Sequence, residues 1–408
     1  MEKNKSLTST GGFYLLYFGA VGCMFPYLNL YYQRIGLTGF QIGILSAIPS
    51  LVVPFASPIW GILGDSLNLH RRLLTLAVGG TIIPVLLLSA GRSMSWLAPV
   101  TLVYAFFYGP IGPLIDSTAL QVAEAVHRSY GELRVWGTIG FIASAWTLGR
   151  IMEGTSLRAL FLGYALFMLG SLAFSLLLPS SPQRWSGPML QGLGVLLADR
   201  VFVLFLASVF LLATAVAAAN NFFALYMDGL GASEGLVGLS WAIAALSEVP
   251  VMFLSGALLR RLAPRGLLIL GFSVYALRWF LYSQTTSLQA VLLIQVLHGL
   301  SFGAYFVAGV VYTRERAPGG LGATAQALFS GTVLGLAGIV GGLVGGYLYD
   351  QVGVMNLFRF CSLAAILALV VFLVVPSPRK RGPADCQTFS KLRGDQGASR
   401  SDHKEERT

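Results

Sequence analysis

Five ionisable side chains lie within long apolar stretches of this 408-residue chain: Asp116, Arg134, Glu248, Arg278 and His298. An ionisable side chain at the centre of a membrane span costs about 2.5–3.5 kcal/mol on insertion scales, so each of the five needs a partner or a function. Carboxylates and guanidinium groups can bind a polar solute, and a carboxylate beside an imidazole can exchange a proton. The elements that hold these side chains therefore decide which chemistry is available.

Apolar runs of about 20 residues dominate the sequence. Hydrophobic residues make up 55% of the chain, charged residues only 11%, and the mean hydropathy is +0.73. A water-soluble chain usually carries about 25% charged residues, so the composition excludes a soluble enzyme and predicts an all-α membrane protein. A helix of about 20 residues crosses the hydrocarbon core. This length predicts twelve transmembrane helices, near residues 11–33, 41–63, 73–91, 96–121, 131–152, 157–178, 201–227, 235–259, 266–284, 289–313, 322–348 and 354–375.

The longest internal connection, residues 179–200, divides the predicted helices six and six. It contains three prolines and is predicted to be a cytoplasmic linker, with room for a short surface helix. The domains are therefore an N-terminal six-helix bundle at 1–178 and a C-terminal six-helix bundle at 201–376. Residues 377–408 are rich in charged residues, Gly and Ser, which predicts a disordered cytoplasmic tail.

The two halves also repeat in sequence. A shift of 195 residues places Leu30 on Leu225 and Gly43 on Gly238, with further matches at the same offset. Two six-helix repeats that face each other are how many transporters build a central binding site. The repeat therefore predicts two pseudo-symmetric bundles with a site between them.

Lys and Arg concentrate on one predicted side of the membrane. Of the 27, 20 fall in the even-numbered loops and the two tails, five fall in the opposite loops, and two, Arg134 and Arg278, fall within spans. Positive side chains favour the cytoplasmic side, so both termini are predicted to be cytoplasmic in a protein of the cell inner membrane. The net charge of +10 is thus a topology signal, and no nucleic-acid partner is predicted.

Asp116 and Arg134 lie on consecutive predicted helices that a short loop joins. The helices are therefore antiparallel neighbours, and the two side chains lie at similar depth. A carboxylate and a guanidinium so placed can pair, or can bind opposite ends of a polar substrate. The alternative is a structural ion pair near the cytoplasmic rim.

Glu248, Arg278 and His298 fall on predicted helices eight, nine and ten, each near mid-membrane. A carboxylate and an imidazole near a cation can exchange a proton when access alternates between the two sides. The pattern predicts a proton-coupling site that also contacts substrate. The alternative is a buried network that only fixes helix packing.

Amide side chains in the apolar helices are further candidates for substrate binding. Adjacent residues of a helix point about 100° apart, so at least one of Asn220 and Asn221 is expected to face a central cavity. Asn29 and Gln326 are candidates of the same kind. The alternative for each is hydrogen bonding between helices.

The loop after the second predicted helix runs from Gly61 through Asp65 to the basic pair Arg71 and Arg72. This run resembles the cytoplasmic loop motif of the major facilitator superfamily, in which the basic pair usually comes earlier. The resemblance implies that Asp65, Arg71 and Arg72 help to gate the two halves. The second-half copy has Arg260 at the position of the Asp. A solvated positive loop is the alternative.

Three further stretches resemble the phenylpropionate-permease and nucleoside-symporter branch of that superfamily, which is allied to lactose permease. They are YGELRVWGTIGF at 130–141, SEVP at 247–250 and LHGLSFG at 297–303. The resemblance covers the whole twelve-helix body. It implies that Asp116 and Arg134 hold substrate, and that Glu248, Arg278 and His298 bind substrate and handle the proton.

Three departures from lactose permease limit that resemblance. The Asp–Lys pair that lactose permease has between helices seven and ten has no counterpart here. Ser301 stands where lactose permease has an acid one turn after the His, which puts an identical proton route in doubt. Phe141 stands where lactose permease has the Trp that stacks on sugar, so the same position is expected to contact substrate while the case for galactosides weakens.

The sequence therefore predicts a secondary transporter of the major facilitator fold, functional as a monomer, that couples protons to a small polar or anionic organic solute. Aromatic carboxylates, nucleosides and saccharides are the candidate solutes. No phosphate loop or metal-ligand spacing is present in the sequence, so we expect neither enzyme activity nor a cofactor. Two alternatives stay open: an exporter of amphipathic compounds in the same fold, and a membrane receptor or scaffold that transports nothing.

Overall fold

The computed structural model describes residues 2–67, 69–179, 192–318 and 320–376, and these residues are almost entirely helical. No strand occurs in those ranges, so the all-α prediction is confirmed. The predicted tail at 377–408 and residues 180–191 of the predicted linker lie outside the described residues. The domain boundaries there stay predictions.

Eight helices of the described chain make up the N-terminal half. Two spans are interrupted beside prolines, at Pro26 and at Pro110, because proline supplies no backbone N–H for the helical hydrogen bonds. The helices are α1 (Glu2–Met24), α2 (Leu28–Arg34), α3 (Gly39–Leu67), α4 (His70–Ala90), α5 (Met94–Tyr108), α6 (Ile111–Ala125), α7 (Tyr130–Met152) and α8 (Ala159–Leu177).

The described C-terminal half begins with a short helix in the predicted linker and then repeats the pattern. Two π-helical segments, Gly299–Gly303 and Gly331–Leu336, interrupt its tenth and eleventh spans. The helices are α9 (Leu193–Ala198), α10 (Arg200–Gly229), α11 (Glu234–Phe253), α12 (Ser255–Gln284), α13 (Leu288–Gln295), α14 (Ala304–Arg316), α15 (Gly322–Ser330) and α16 (Ala337–Val374).

Ten helical segments of the described chain are long and apolar enough to cross a membrane. These ten do not include α7, and they join the last two predicted spans into one run of 53 residues. That run breaks at Gly353, where φ is 77° and ψ is 167°. Counting α7 as a span and dividing the run at Gly353 gives the twelve spans that the sequence predicts.

The sequence repeat relates two helix–helix interfaces between the halves. Helix α3 begins at Gly39 and α11 begins at Glu234, which are separated by the offset of 195 seen in the sequence. Helix α3 packs against α16, and α7 packs against α11. A Cβ on Gly43 would lie 2.2 Å from the carbonyl oxygen of Gly342, so these backbones approach as closely as glycine permits.

Candidate functional site

Two adjoining cavities lie between the halves, and Phe25 and Asn220 line both. The larger cavity has a volume of about 280 Å³ and the smaller about 210 Å³. The larger one is lined by neutral polar side chains among apolar ones, chiefly Asn29, Tyr32, Ser46, Thr101, Tyr104, Tyr108, Asn220 and Asn221. The wall of the smaller cavity carries two titratable side chains, Glu248 and His298.

Glu248 and His298 contact each other across α11 and the tenth span. The Oε1 atom of Glu248 lies 3.1 Å from Nε2 of His298. The imidazole is 6% exposed, and its ring stacks on Phe302 at 5.6 Å and meets the edge of Trp241 at 6.4 Å. The side chain of Glu248 is 27% exposed, so Glu248 is the member of the pair that a solute or water in the cavity can reach.

Arg278 lies behind this pair and not on the wall of either cavity. Its guanidinium is 3% exposed and donates to the side-chain oxygens of Tyr282 at 3.2 Å, Ser301 at 3.1 Å and Gln295 at 3.0 Å. Tyr282 also donates to Gln295. Ser301, at the position where lactose permease has an acid, here accepts from the guanidinium. A buried cation held by three neutral acceptors is suited to fixing the local field and the helix packing.

Asp116 and Arg134 do not form the ion pair that the sequence allows. Asp116 instead accepts hydrogen bonds from the hydroxyls of Tyr14, at 2.6 Å, and Tyr130, at 3.0 Å. The guanidinium of Arg134 lies over the ring of Phe18, at 3.8 Å from its centroid. Cation–π contact with an aromatic face satisfies part of the charge and leaves the N–H groups available. Neither side chain lines the two central cavities.

The remaining predicted substrate residues separate into two groups. Asn29, Asn220, Asn221 and Phe141 line the cavities, although Asn29 also donates to the carbonyl oxygen of Asn221 at 2.9 Å. Gln326 lies outside both linings and donates to the carbonyl oxygen of Val310 at 2.6 Å, which is the interhelical role that the sequence left open.

The predicted gating loop is held by contacts within the N-terminal half. The Oδ1 atom of Asp65 lies 2.8 Å from Nε2 of His70, and Arg71 donates to the carbonyl oxygen of Leu178 at 3.4 Å. Arg72 is exposed. The gating roles of Asp65, Arg71 and Arg72 stay predictions.

The opposite, predicted outer face carries hydrogen bonds and ion pairs that join the two halves. Arg34 contacts Asp228 at 2.5 Å and Glu234 at 3.7 Å. Gln33 donates to the hydroxyl of Tyr349 at 2.9 Å. These contacts connect the end of α2 to the C-terminal half, so the predicted outer face is the closed one in this structure.

Two carboxylates close the same face by binding the start of a helix in the other half. Asp350 accepts the N–H groups of Gly39 at 2.7 Å and Phe40 at 2.8 Å, in the first turn of α3. Glu153 accepts a hydrogen bond from the hydroxyl of Ser233, the N-cap residue of α11. Because the first N–H groups of a helix lack internal partners and carry partial positive charge, both contacts are favourable. We call them the outer latches.

The described residues contain no group of three or more His, Cys, Asp and Glu side chains placed to hold a metal ion. Cys23 and Cys361 are buried free thiols on separate halves.

Residues 7–360 match the family described as the MFS_1 like family. The chain belongs to this family of major facilitator transporters. The MFS_1-like protein is 32% identical to the maltose permease of Geobacillus stearothermophilus over 365 residues. The aligned region covers 89% of this chain and 93% of that permease. It is 29% identical to the probable 3-phenylpropionic acid transporter of Escherichia coli (strain K12), over 89% of this chain and 97% of that protein.

The solved structures show the same fold. The crystal structure of the nucleoside transporter NupG superimposes with a TM-score of 0.80 at 19% identity, over 92% of this chain and 99% of that chain. The predicted all-α major facilitator fold is thereby confirmed. The MFS_1-like protein is a multi-pass membrane transporter of small molecules and not an enzyme.

Several site residues escaped the sequence reasoning. Tyr14 and Phe18 reach Asp116 and Arg134 from α1, more than 100 positions away, and nothing in their spacing marks them. Glu153 and Asp350 are 197 positions apart, close to the repeat offset of 195, and each ends a span. That recurrence of an acid at the same place in both halves is a signal that could have identified the latches.

Proposed function

We propose that this MFS_1-like transporter is a proton-coupled symporter that imports a small polar organic solute by alternating access. The observation that supports the proposal most is the Glu248–His298 contact of 3.1 Å on the wall of a cavity between the halves. A titratable pair at this depth is costly, and a protein retains such a pair where it carries a proton or a substrate. We place the transporter as a monomer in the cell inner membrane, with both termini cytoplasmic.

The proposed cycle assigns the proton to Glu248. When the cavity opens outward, Glu248 takes up a proton and solute binds beside it at Asn220, which lines both cavities. When the outer latches close, as in this structure, the site becomes accessible from the cytoplasm, and the proton and the solute are released there. His298 accepts or donates a hydrogen bond in its contact with Glu248. Arg278 keeps a fixed positive charge behind the pair during the whole cycle.

The neutral lining of the larger cavity favours a hydroxyl-bearing solute such as a saccharide or a nucleoside. Asn29, Ser46, Asn220 and Asn221 supply amide and hydroxyl groups, which bind hydroxyls as donors and acceptors. The two guanidinium groups that would attract a carboxylate lie outside the lining. The names of the maltose permease and of the nucleoside transporter among the similar proteins agree with this class.

An aromatic carboxylate is the second candidate, and Arg134 is the observation that favours it. Its guanidinium contacts the Phe18 ring and makes no ion pair within 4.0 Å in the part of the chain that the structure describes. A carboxylate could complete its hydrogen bonding while an aromatic ring stacks nearby. The probable 3-phenylpropionic acid transporter is similar over most of both chains.

Transport by the purified protein in proteoliposomes tests these proposals. Labelled maltose, uridine and 3-phenylpropionate are each supplied outside vesicles with an alkaline interior, with a protonophore and protein-free vesicles as controls. We expect accumulation of a neutral hydroxyl-bearing solute that the protonophore abolishes. Accumulation of phenylpropionate alone supports the second candidate.

Other outcomes would contradict symport altogether. Solute that accumulates only when the gradient is reversed, so that protons leave as solute enters, with preference for amphipathic compounds and no effect of Arg278→Ala, indicates a proton-antiporting exporter. Binding without flux for every solute of a broad panel indicates a receptor or scaffold.

A further inference from the structure

Helix α11 and the tenth span touch backbone to backbone one residue away from the Glu248–His298 pair. The N–H of Gly299 donates to Oγ of Ser247 at 2.8 Å, and Ser247 in turn donates to the carbonyl oxygen of Ala244 at 2.7 Å. Ser247 directly precedes Glu248, and Gly299 directly follows His298. The contact therefore joins the two backbones immediately beside the atoms that would carry the proton.

Only glycine fits at this contact. A Cβ on Gly299 would lie 1.9 Å from the carbonyl oxygen of Ser247, where ordinary contact begins at 3.4 Å, and 2.8 Å from the backbone nitrogen of Glu248. The obstructing atoms belong to backbone, so no side-chain rotation relieves the clash. Any larger residue at 299 must separate the helix that holds the carboxylate from the helix that holds the imidazole.

The contact of Gly299 with Ser247 lies at the start of a π-helical segment of the tenth span. Gly299 opens the π-helical segment Gly299–Gly303, and single-turn π-helical insertions in α-helices occur frequently at functional sites. The imidazole of His298 has no partner at Nδ1 among the described residues, so its ring is oriented by Glu248 and by packing alone. The pair thus depends on the spacing of the two backbones.

We propose that Ser247 and Gly299 form a clamp that sets the distance between Glu248 and His298, and that this clamp is required to couple the proton to transport. Both are positioning residues, since neither takes the proton itself. The inference rests on the proposed symport. It goes beyond that proposal by assigning to two neutral residues the control of coupling.

Gly299→Ala tests the clamp, and Gly303→Ala is its matched control. Gly303 lies in the same π-helical segment, but a Cβ there would meet only side-chain atoms of Val251, the nearest at 3.0 Å. We expect Gly299→Ala to lower proton-driven initial uptake on the order of 100-fold, the effect that a displacement of about 1 Å can have on a reacting pair. We expect its uptake to lose the rise with external acidity, while solute exchange at equal pH continues.

Ser247→Ala is the milder variant, which removes the acceptor without a clash. Ser240→Ala is its control, because the buried hydroxyl of Ser240 bonds, among the described residues, only to the carbonyl oxygen of Val237 in its own helix. We expect Ser247→Ala to flatten the pH profile of uptake and Ser240→Ala to leave it unchanged. Retained exchange shows that a variant is folded.

The two proposals fail in different ways. Wild-type protein that never accumulates solute under a pH gradient overturns the symport. Wild-type protein that accumulates solute, together with pH profiles of Gly299→Ala and Ser247→Ala that match their controls, overturns the clamp alone.

Discussion

Asp350 is the position at which the closed outer face can be tested most directly. Its two carboxylate oxygens accept the N–H groups of Gly39 and Phe40 at 2.7 and 2.8 Å, across the boundary between the halves. In the proposed cycle, these bonds form only while the outer face is closed. Asp350→Ala should therefore destabilise the closed state and leave the interior of each half unchanged.

The magnitude follows from the two interactions that Asp350→Ala removes. Loss of a side-chain cap costs about 0.5–2 kcal/mol, typically about 1. Loss of a negative charge at an exposed helix N-terminus adds about 0.3–1 kcal/mol. A total of about 1–2 kcal/mol changes the ratio of outward-closed to outward-open protein by about five- to thirtyfold.

Labelling from outside measures that ratio. A cysteine introduced by Ser46→Cys on the wall of the larger cavity, in protein without its three native cysteines, reacts with a membrane-impermeant maleimide only when the outer face opens. We expect Asp350→Ala to raise the labelling rate at least fivefold. Asp350→Asn keeps one acceptor and should give an intermediate rate.

Asp199→Ala provides the matched control. Asp199 caps α10 in the same way, through Val201 N at 2.9 Å and Phe202 N at 3.4 Å, but within one half. Asp199→Ala should lower the thermal stability of the protein without changing the rate at which the cysteine is labelled from outside. If labelling stays at the wild-type rate in Asp350→Ala and also in the double variant with Glu153→Ala, the latches do not hold the outer face closed and the reasoning is refuted.

Three further predictions concern the charged side chains within the spans. Glu248→Gln should abolish uphill accumulation in proteoliposomes and preserve equilibrium exchange; intact accumulation would exclude Glu248 as the proton carrier. Arg278→Ala removes three hydrogen bonds and should destabilise the protein by about 1–3 kcal/mol, seen as a lower melting temperature in detergent, and an unchanged melting temperature would contradict its packing role. For an aromatic carboxylate, the second candidate solute, Arg134→Ala and Asp116→Ala should each weaken binding measured by calorimetry, and an affinity equal to that of the wild type in both would make these side chains structural.

The sequence predicts the membrane fold and much of the central cavity because burial in lipid leaves a strong signal. Apolar runs mark the spans, and a charged side chain inside such a run stands out against them, so Glu248 and His298 are identified together with their neighbourhood. Asn220 is identified by the same contrast of an amide within an apolar helix. Their roles in transport stay predictions.

The partners of those side chains are harder to predict from the sequence. Asp116 is bound by Tyr14 and Tyr130 and not by Arg134, because hydroxyls from α1 and α7 lie closer than the expected guanidinium. Tyrosine is enriched at membrane–water interfaces whether or not it contacts a charge, so its presence near the end of a span does not reveal such a contact. Gln326 shows the related difficulty that an amide which bonds to a neighbouring helix looks, in sequence, like one that faces a cavity.

The contacts at the two ends of α11 connect the gate with the proton site. Its first turn is held by Glu153 of the other half, and Glu248 lies near its far end, joined to the tenth span through Ser247 and Gly299. The latch crosses between halves, whereas the clamp lies within one. In the proposed cycle, breaking this latch moves α11 and the tenth span together, so Glu248 and His298 keep their distance while the side of the membrane they meet changes. Proton coupling would then come from a change of access to a pair of constant spacing, and Gly299→Ala is expected to affect coupling more than exchange.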